Sequence, residues 1–157
     1  MTSVLSFIVL LSTFLSFLAG SGAIPTADKS KPTIILIPAA FSKAAVYNEV
    51  KERLSDRGYD VIAIDLPSVG HGAGYVDRTP DIKLVRRNLS MRLHQGKNVI
   101  LVGNSYGATV ICDAVKDFEA KSSLKPNAPA NGKILGLVFV SSTLSKHDLL
   151  SLSATSP

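Results

Sequence analysis

Residues Asn98–Phe118 read NVILVGNSYGATVICDAVKDF. The opening Val99-Ile100-Leu101-Val102 is short, apolar and β-branched, the pattern of a buried strand. Gly103-Asn104-Ser105-Tyr106-Gly107 then breaks the run. Apolar residues resume at Val110, Ile111, Ala114, Val115 and Phe118, at helical spacing. The stretch therefore predicts a strand, a sharp turn centred on a serine, and a helix.

That order is the context in which a G-x-S-x-G turn serves as a nucleophile elbow. On a regular strand or helix a serine hydroxyl is hemmed in by its neighbours. A turn this tight lifts Ser105 Oγ clear of the sheet, at the cost of strained backbone dihedrals. Gly103 and Gly107 lack a Cβ, which lets strand and helix approach closely on either side. The helix beyond directs its first N–H groups and positive dipole end at the same spot, where they favour an oxyanion.

Working outward, Thr33-Ile34-Ile35-Leu36-Ile37 is a continuous apolar run suited to a strand buried on both faces. Pro38-Ala39-Ala40-Phe41-Ser42 forms the loop after it. Val46, Tyr47, Val50 and Leu54 make an apolar stripe among Glu49, Lys51, Glu52 and Arg53, an amphipathic helix capped at its C-terminus by Gly58. Val61–Ile64 is a second buried strand, followed by Asp65-Leu66-Pro67 and a glycine-rich loop to Gly74. Thr79-Pro80-Asp81 reads as N-cap, N1 proline and acidic first turn of a helix. That helix carries Ile82, Val85, Leu89 and Leu93 on one face and stops near Gly96. Ala120–Lys133 is a polar surface loop, and Ile134–Val140 is a fourth apolar strand. Strands alternating with helices imply a parallel sheet of about four strands with helices on its faces, an α/β fold.

The 157 residues suit one domain with a real core. The apolar fraction of 46% is inflated by the N-terminus, where Met1–Ala19 is almost uncharged. Ser21-Gly22-Ala23 supplies the small residues that a signal peptidase reads. Residues 1–23 are thus expected to be a secretory signal peptide, 24–32 a linker and 33–157 the folded part. The alternative is an uncleaved membrane anchor; after cleavage no stable membrane span is expected. A single cysteine, Cys112, excludes an internal disulfide, and its place in a helix suggests a buried, inert thiol. Net charge is +5 with Lys and Arg scattered, so nothing argues for nucleic acid. Asn88-Leu89-Ser90 is a glycosylation sequon on a predicted helix. Three scattered histidines, His71, His94 and His147, give no metal-ligand spacing.

From Thr33 to about Thr143, the stretches TIILIPAAF, DLPSVGHG, GNSYG and ILGLVFVSS together resemble the α/β-hydrolase superfamily, in its single-domain esterase and lyase-like branch. The resemblance implies a spatial order with Val61–Ile64 outside Thr33–Ile37, then the serine strand, then Ile134–Val140. It implies Ser105 as nucleophile, the backbone N–H groups of Tyr106 and Ala40 as oxyanion donors, and no cofactor. Here Pro38-Ala39 replaces the family's usual His-Gly, and Asn104 stands where His or Glu is common. The family places its acid and then its base after the serine, the base following the last strand. Only 17 residues follow Val140, so the chain reads as the front two-thirds of a hydrolase that lacks the last strands. Ile134–Val140 would then be an exposed apolar edge open to a covering partner. Asp148 is a candidate acid by position, although the segment Lys146–Leu150 reads first as the start of a cap or of a severed helix; His147 beside it, His71 and His94 do not make a convincing base. A loop-ordering role suits His71, and the helix dipole accounts for His94.

The leading expectation is a secreted serine hydrolase acting on a small-molecule ester or amide, its base and acid absent from this chain. A non-catalytic binding or regulatory protein on a hydrolase scaffold is the alternative. A lyase or cofactor-free oxygenase on the same fold is a third.

Overall fold

The computed structural model describes residues 31–70, 77–123, 132–142, 144 and 145. The expected signal peptide, most of the linker, His71, His147 and Asp148 lie outside them.

Strand β1 (Thr33–Ile37) is buried along its whole length, as a run covered on both faces requires. It pairs in parallel with β2 (Asp60–Ala63) on one side and β3 (Val99–Asn104) on the other. Beyond β3 lies β4 (Ile134–Val140), also parallel, so the sheet order is β2-β1-β3-β4. The register sets Leu36 opposite Ala63 and Val102, Ile37 opposite Gly103, and Asn104 opposite Val140. Parallel neighbours are joined only by crossovers. These contain α1 (Asn48–Ser55, preceded by a 3-10 turn at Ala44–Tyr47), α2 (Thr79–His94) and α3 (Tyr106–Ser123).

The chain leaves β1 toward β2, then returns past β1 to β3 and moves on to β4. The direction of travel thus reverses between β1 and β3. Outside the carboxyl ends of such a strand pair the connecting loops diverge and leave a crevice.

One face of the sheet is sealed. Ile35, Ile37, Val99 and Leu101 pack with Val85, Leu89 and Leu93 of α2 and with Val110, Ile111, Ala114 and Val115 of α3. Burying each large side chain contributes roughly 1.5–3 kcal/mol. Cys112 is buried in α3 and in no disulfide. At the N-terminal end of the sheet, Thr33 Oγ1 donates to Asp60 Oδ2 at 2.9 Å, and Arg92 approaches the same carboxylate at 3.7 Å.

Several boundaries and burials depart from the sequence expectations. The second strand spans Asp60–Ala63 and is half-buried, not fully buried, because it is the outer strand of the described sheet. The Val46–Leu54 stripe is not a buried face. Its first half lies in the 3-10 turn, no residue of α1 is buried, and Val46 and Val50 are exposed. Among the described residues only Tyr47 and Leu54 of that stripe turn inward. Helix α3 continues to Ser123, four residues into the stretch expected to be loop, having Ala and Lys to extend it.

Thr79 is not the cap of α2 either. Arg78 holds that position with no side-chain bond, and Thr79 and Pro80 open the helix. Asp77 Oδ1 accepts the Thr79 N–H at 2.7 Å, so an Asx turn two residues earlier does the capping. Those hydrogen bonds from Thr79 hold the Asp77 carboxyl below its usual range. Gly58 does close α1 as expected: it adopts φ +80° and donates to Ser55 O at 2.8 Å. Leu135, Val138 and Val140 of β4 are exposed, an apolar edge as the sequence indicated.

Candidate functional site

Among the described residues, three other than glycine adopt the left-handed conformation: Phe41 (φ +63°), Ser105 (φ +50°) and Ser141 (φ +46°). Each follows the carboxyl end of a strand, β1, β3 and β4 respectively. Left-handed backbone at a residue with a Cβ is costly and persists only where the surroundings enforce it. Here all three occur on one rim of the sheet, above the reversal point between β1 and β3.

Ser105 is exposed between the last residue of β3 and the first of α3. Two contacts fix its backbone: its N–H donates to Val140 O at 2.9 Å, and its carbonyl accepts from Ala108 N–H at 3.0 Å. Its own amide is thus engaged by β4. Tyr106 opens α3, and a first-turn amide has no carbonyl of its own helix to meet.

Helix and strand meet here without room for a methyl group. A Cβ on Gly103 would lie 2.7 Å from the backbone of Gly107 and Ala108. One on Gly107 would lie 2.5 Å from Ile37 O and 2.7 Å from Pro38 O. The N-terminus of α3 therefore abuts the loop that leaves β1. In that loop Ser42 N–H donates to Ala39 O at 3.2 Å, Ala40 is exposed, and Phe41 projects into solvent at 94% exposure. Asp65, past the end of β2, accepts the Ala44 N–H at 2.6 Å and ties the two loops together. Tyr47 leans in beneath: its hydroxyl donates to Ile37 O at 3.3 Å. Burial pushes its phenol upward, and the Asn104 side chain opposes the shift.

The other side of the turn holds a residue whose role the sequence reading missed. Asp81 is fully buried. Its Oδ2 accepts the Tyr106 hydroxyl at 2.7 Å and its Oδ1 accepts the Ser68 N–H at 2.9 Å. Burial, then the hydrogen bond to Asp81 and its negative charge, push the Tyr106 phenol up to about 12. The sequence expectation made Asp81 no more than the acid of a helix's first turn. Its spacing held the contrary signal: Asp81, Val85, Leu89 and Leu93 recur every four residues, so the acid lies on the buried stripe.

Of the sequence candidates, the structure brings Ser105, Tyr106, Gly103, Gly107 and the Ala40 loop to one rim. His94 lies elsewhere, exposed at the far end of α2, with Nδ1 2.7 Å from Ser90 O. That end adjoins the start of β4, because Gly132 N–H donates to Leu93 O at 2.9 Å. Asn88 sits half-buried on α2 and donates to Leu84 O at 2.9 Å, so the sequon is engaged in helix structure.

Comparison with known proteins bears on the whole arrangement. An alpha/beta hydrolase of Aspergillus novofumigatus is 30% identical over 91 residues, covering 58% of this chain and 36% of that protein. A solved pyrethroid hydrolase, PytH, superposes with a TM-score of 0.54 at 27% identity, over 73% of this chain and 41% of its own. An extracellular alpha/beta-hydrolase from a Paenibacillus species shares the fold, with a TM-score of 0.56 at 20% identity over 73% and 42% of the respective chains. The chain spans 36–40% of the length of the curated relatives it matches. The profile of the alpha/beta hydrolase family matches residues 34–155. That span takes in β1, the strained serine turn and β4 together, and on it we conclude that the chain belongs to the alpha/beta hydrolase family.

Proposed function

We propose that Ser105 is the nucleophile of a secreted serine hydrolase that cleaves a carboxylic ester or amide through an acyl-enzyme. The observation that carries the reading is an exposed serine at φ +50° on the rim where β1 and β3 diverge, beside a helix N-terminus. Ser105 Oγ would bond to the acyl carbon while its proton passes to a base. The alcohol or amine would leave carrying a proton, and water would then release the acid and restore the hydroxyl. The negative oxygen formed on the way needs preorganised donors. The resemblance to the family assigns those donors to the backbone N–H groups of Tyr106 and Ala40; the engagement of the Ser105 amide by Val140 O is compatible with that assignment. Asp148 remains the candidate acid by its place in the sequence.

Membership of a hydrolase family supports the reaction class, and the apolar leader with Ser21-Gly22-Ala23 supports secretion. Incubation of the full-length protein with a fluorophosphonate should modify Ser105, as read by peptide mass spectrometry, and S105A should abolish it. An unmodified wild-type protein would leave the non-catalytic scaffold reading in its place. N-terminal sequencing of protein recovered from the medium should begin at Ile24; an intact leader on membrane-bound protein would overturn secretion.

A further inference from the structure

Asp81 joins three pieces of chain through one side chain. Its two carboxylate oxygens take the Ser68 amide from the loop after β2 and the Tyr106 hydroxyl from the first residue of α3, while Asp81 itself sits in the first turn of α2. Nearby contacts hold the two helices together. Arg78 pairs with Asp113 at 2.7 Å, and Arg86 Nη2 and Nε donate to the carbonyls of Asp113 and Ala114 at 2.8 and 3.3 Å. The phenol tip and the helix that carries Tyr106 are thus both anchored.

Between those anchors and Ser105 lies one peptide plane, the one that bears the Tyr106 N–H and whose carbonyl, that of Ser105, accepts from Ala108 N–H at 3.0 Å. The strain at Ser105 (φ +50°) would relax by a shift of the first turn of α3 against the end of β3, which the Asp81–Tyr106 link resists. Such a shift would carry the Tyr106 amide away from its aim. We propose that Asp81 is a positioning residue: by holding the Tyr106 hydroxyl it keeps the 105–106 peptide, and so the N–H that follows the nucleophile, fixed toward the developing oxyanion. This rests on the reading of Ser105 as nucleophile.

Asp81→Asn keeps the shape, but the Tyr106 hydroxyl must turn to accept from the new NH2 group, so a charge-assisted bond becomes a weaker neutral one. Tyr106→Phe removes the other end of the same link, and Leu93→Ala loosens α2 at its far end without touching it. In full-length protein, two readouts separate the claims. The Ala108 amide, which donates to Ser105 O, should exchange about tenfold faster with solvent in D81N and Y106F, but not in L93A. The fluorophosphonate labelling rate should fall about tenfold in both, a partial loss of one oxyanion donor. D81N/Y106F should be no slower than the slower single variant, because both act on one link. An unchanged Ala108 amide in D81N and Y106F overturns the positioning role. So does an equal drop in labelling in L93A. Absence of labelling in wild type refutes the nucleophile reading alone, since the amide measurement still decides the positioning role.

Discussion

Adding one methyl group at three glycines should give opposite results in the two settings, and the contrast tests the site's geometry. In an ordinary exposed helix Gly→Ala is stabilising by about 1 kcal/mol. At Gly107 the new Cβ would stand 2.5 Å from Ile37 O, 2.7 Å from Pro38 O and 3.0 Å from Ile37 C. All three are main-chain atoms of β1 and its exit, and β1 is bonded to a strand on each side, so they cannot turn aside as a side-chain tip would. Overpacking of this kind costs typically 1–3 kcal/mol, so G107A should be destabilised by about 2 kcal/mol after the helical gain is set against the clash. That corresponds to a melting midpoint lower by roughly 6–10 °C. G103A meets α3 backbone at 2.7 Å and should lose a similar amount. Gly136 in β4 has nothing within 4 Å of its added Cβ, so G136A should be neutral or gain about 0.5–1 kcal/mol. Urea denaturation of the three variants beside wild type measures this directly. If G107A unfolded at the same urea concentration as G136A, the close packing of α3 on the β1 exit would be refuted, and with it the pairing of the Tyr106 and Ala40 amides.

S105G should raise stability by about 1 kcal/mol, since glycine accepts φ +50° without strain, while abolishing labelling; a loss of stability would mean the turn is not strained. The Tyr106 phenol, at about 12 in the folded protein, is raised above the ordinary 10. Between those values the unfolded chain releases this proton and the folded one keeps it, so the linkage lowers stability as pH rises from 10 to 12. Ultraviolet titration should show one tyrosine ionising near pH 12 in wild type and at lower pH in D81N, where burial still acts but the carboxylate's charge is gone. Val138→Lys places a charge on the exposed apolar edge strand and should reduce self-association seen by light scattering, whereas a substitution at exposed Glu49 should not.

Much of this protein was legible in its residues. The patterns located the strands and helices to within a few residues, because a continuous apolar run marks a strand covered on both faces and four-residue spacing records which side of a helix meets the core. The turn at Ser105 was legible for the same local reason: a serine between two glycines, a strand before and a helix after. The strand order followed from likeness to a family and not from any local pattern.

Tertiary structure decided what touches what. Nothing in the sequence near Ser105 says that its amide is taken by Val140 O, far along the chain, or that the β1 exit loop lies against the start of α3. Nor does anything near Asp81 name Tyr106 as its partner. The apolar stripe of α1 failed as a guide for a related reason: periodicity states which residues can be buried, while burial itself needs a facing surface, and Val46 and Val50 meet none among the described residues. Local pattern is set by chemistry within one or two turns of chain, whereas sheet register and crossover path bring distant segments together, and the rim of the site consists of such encounters.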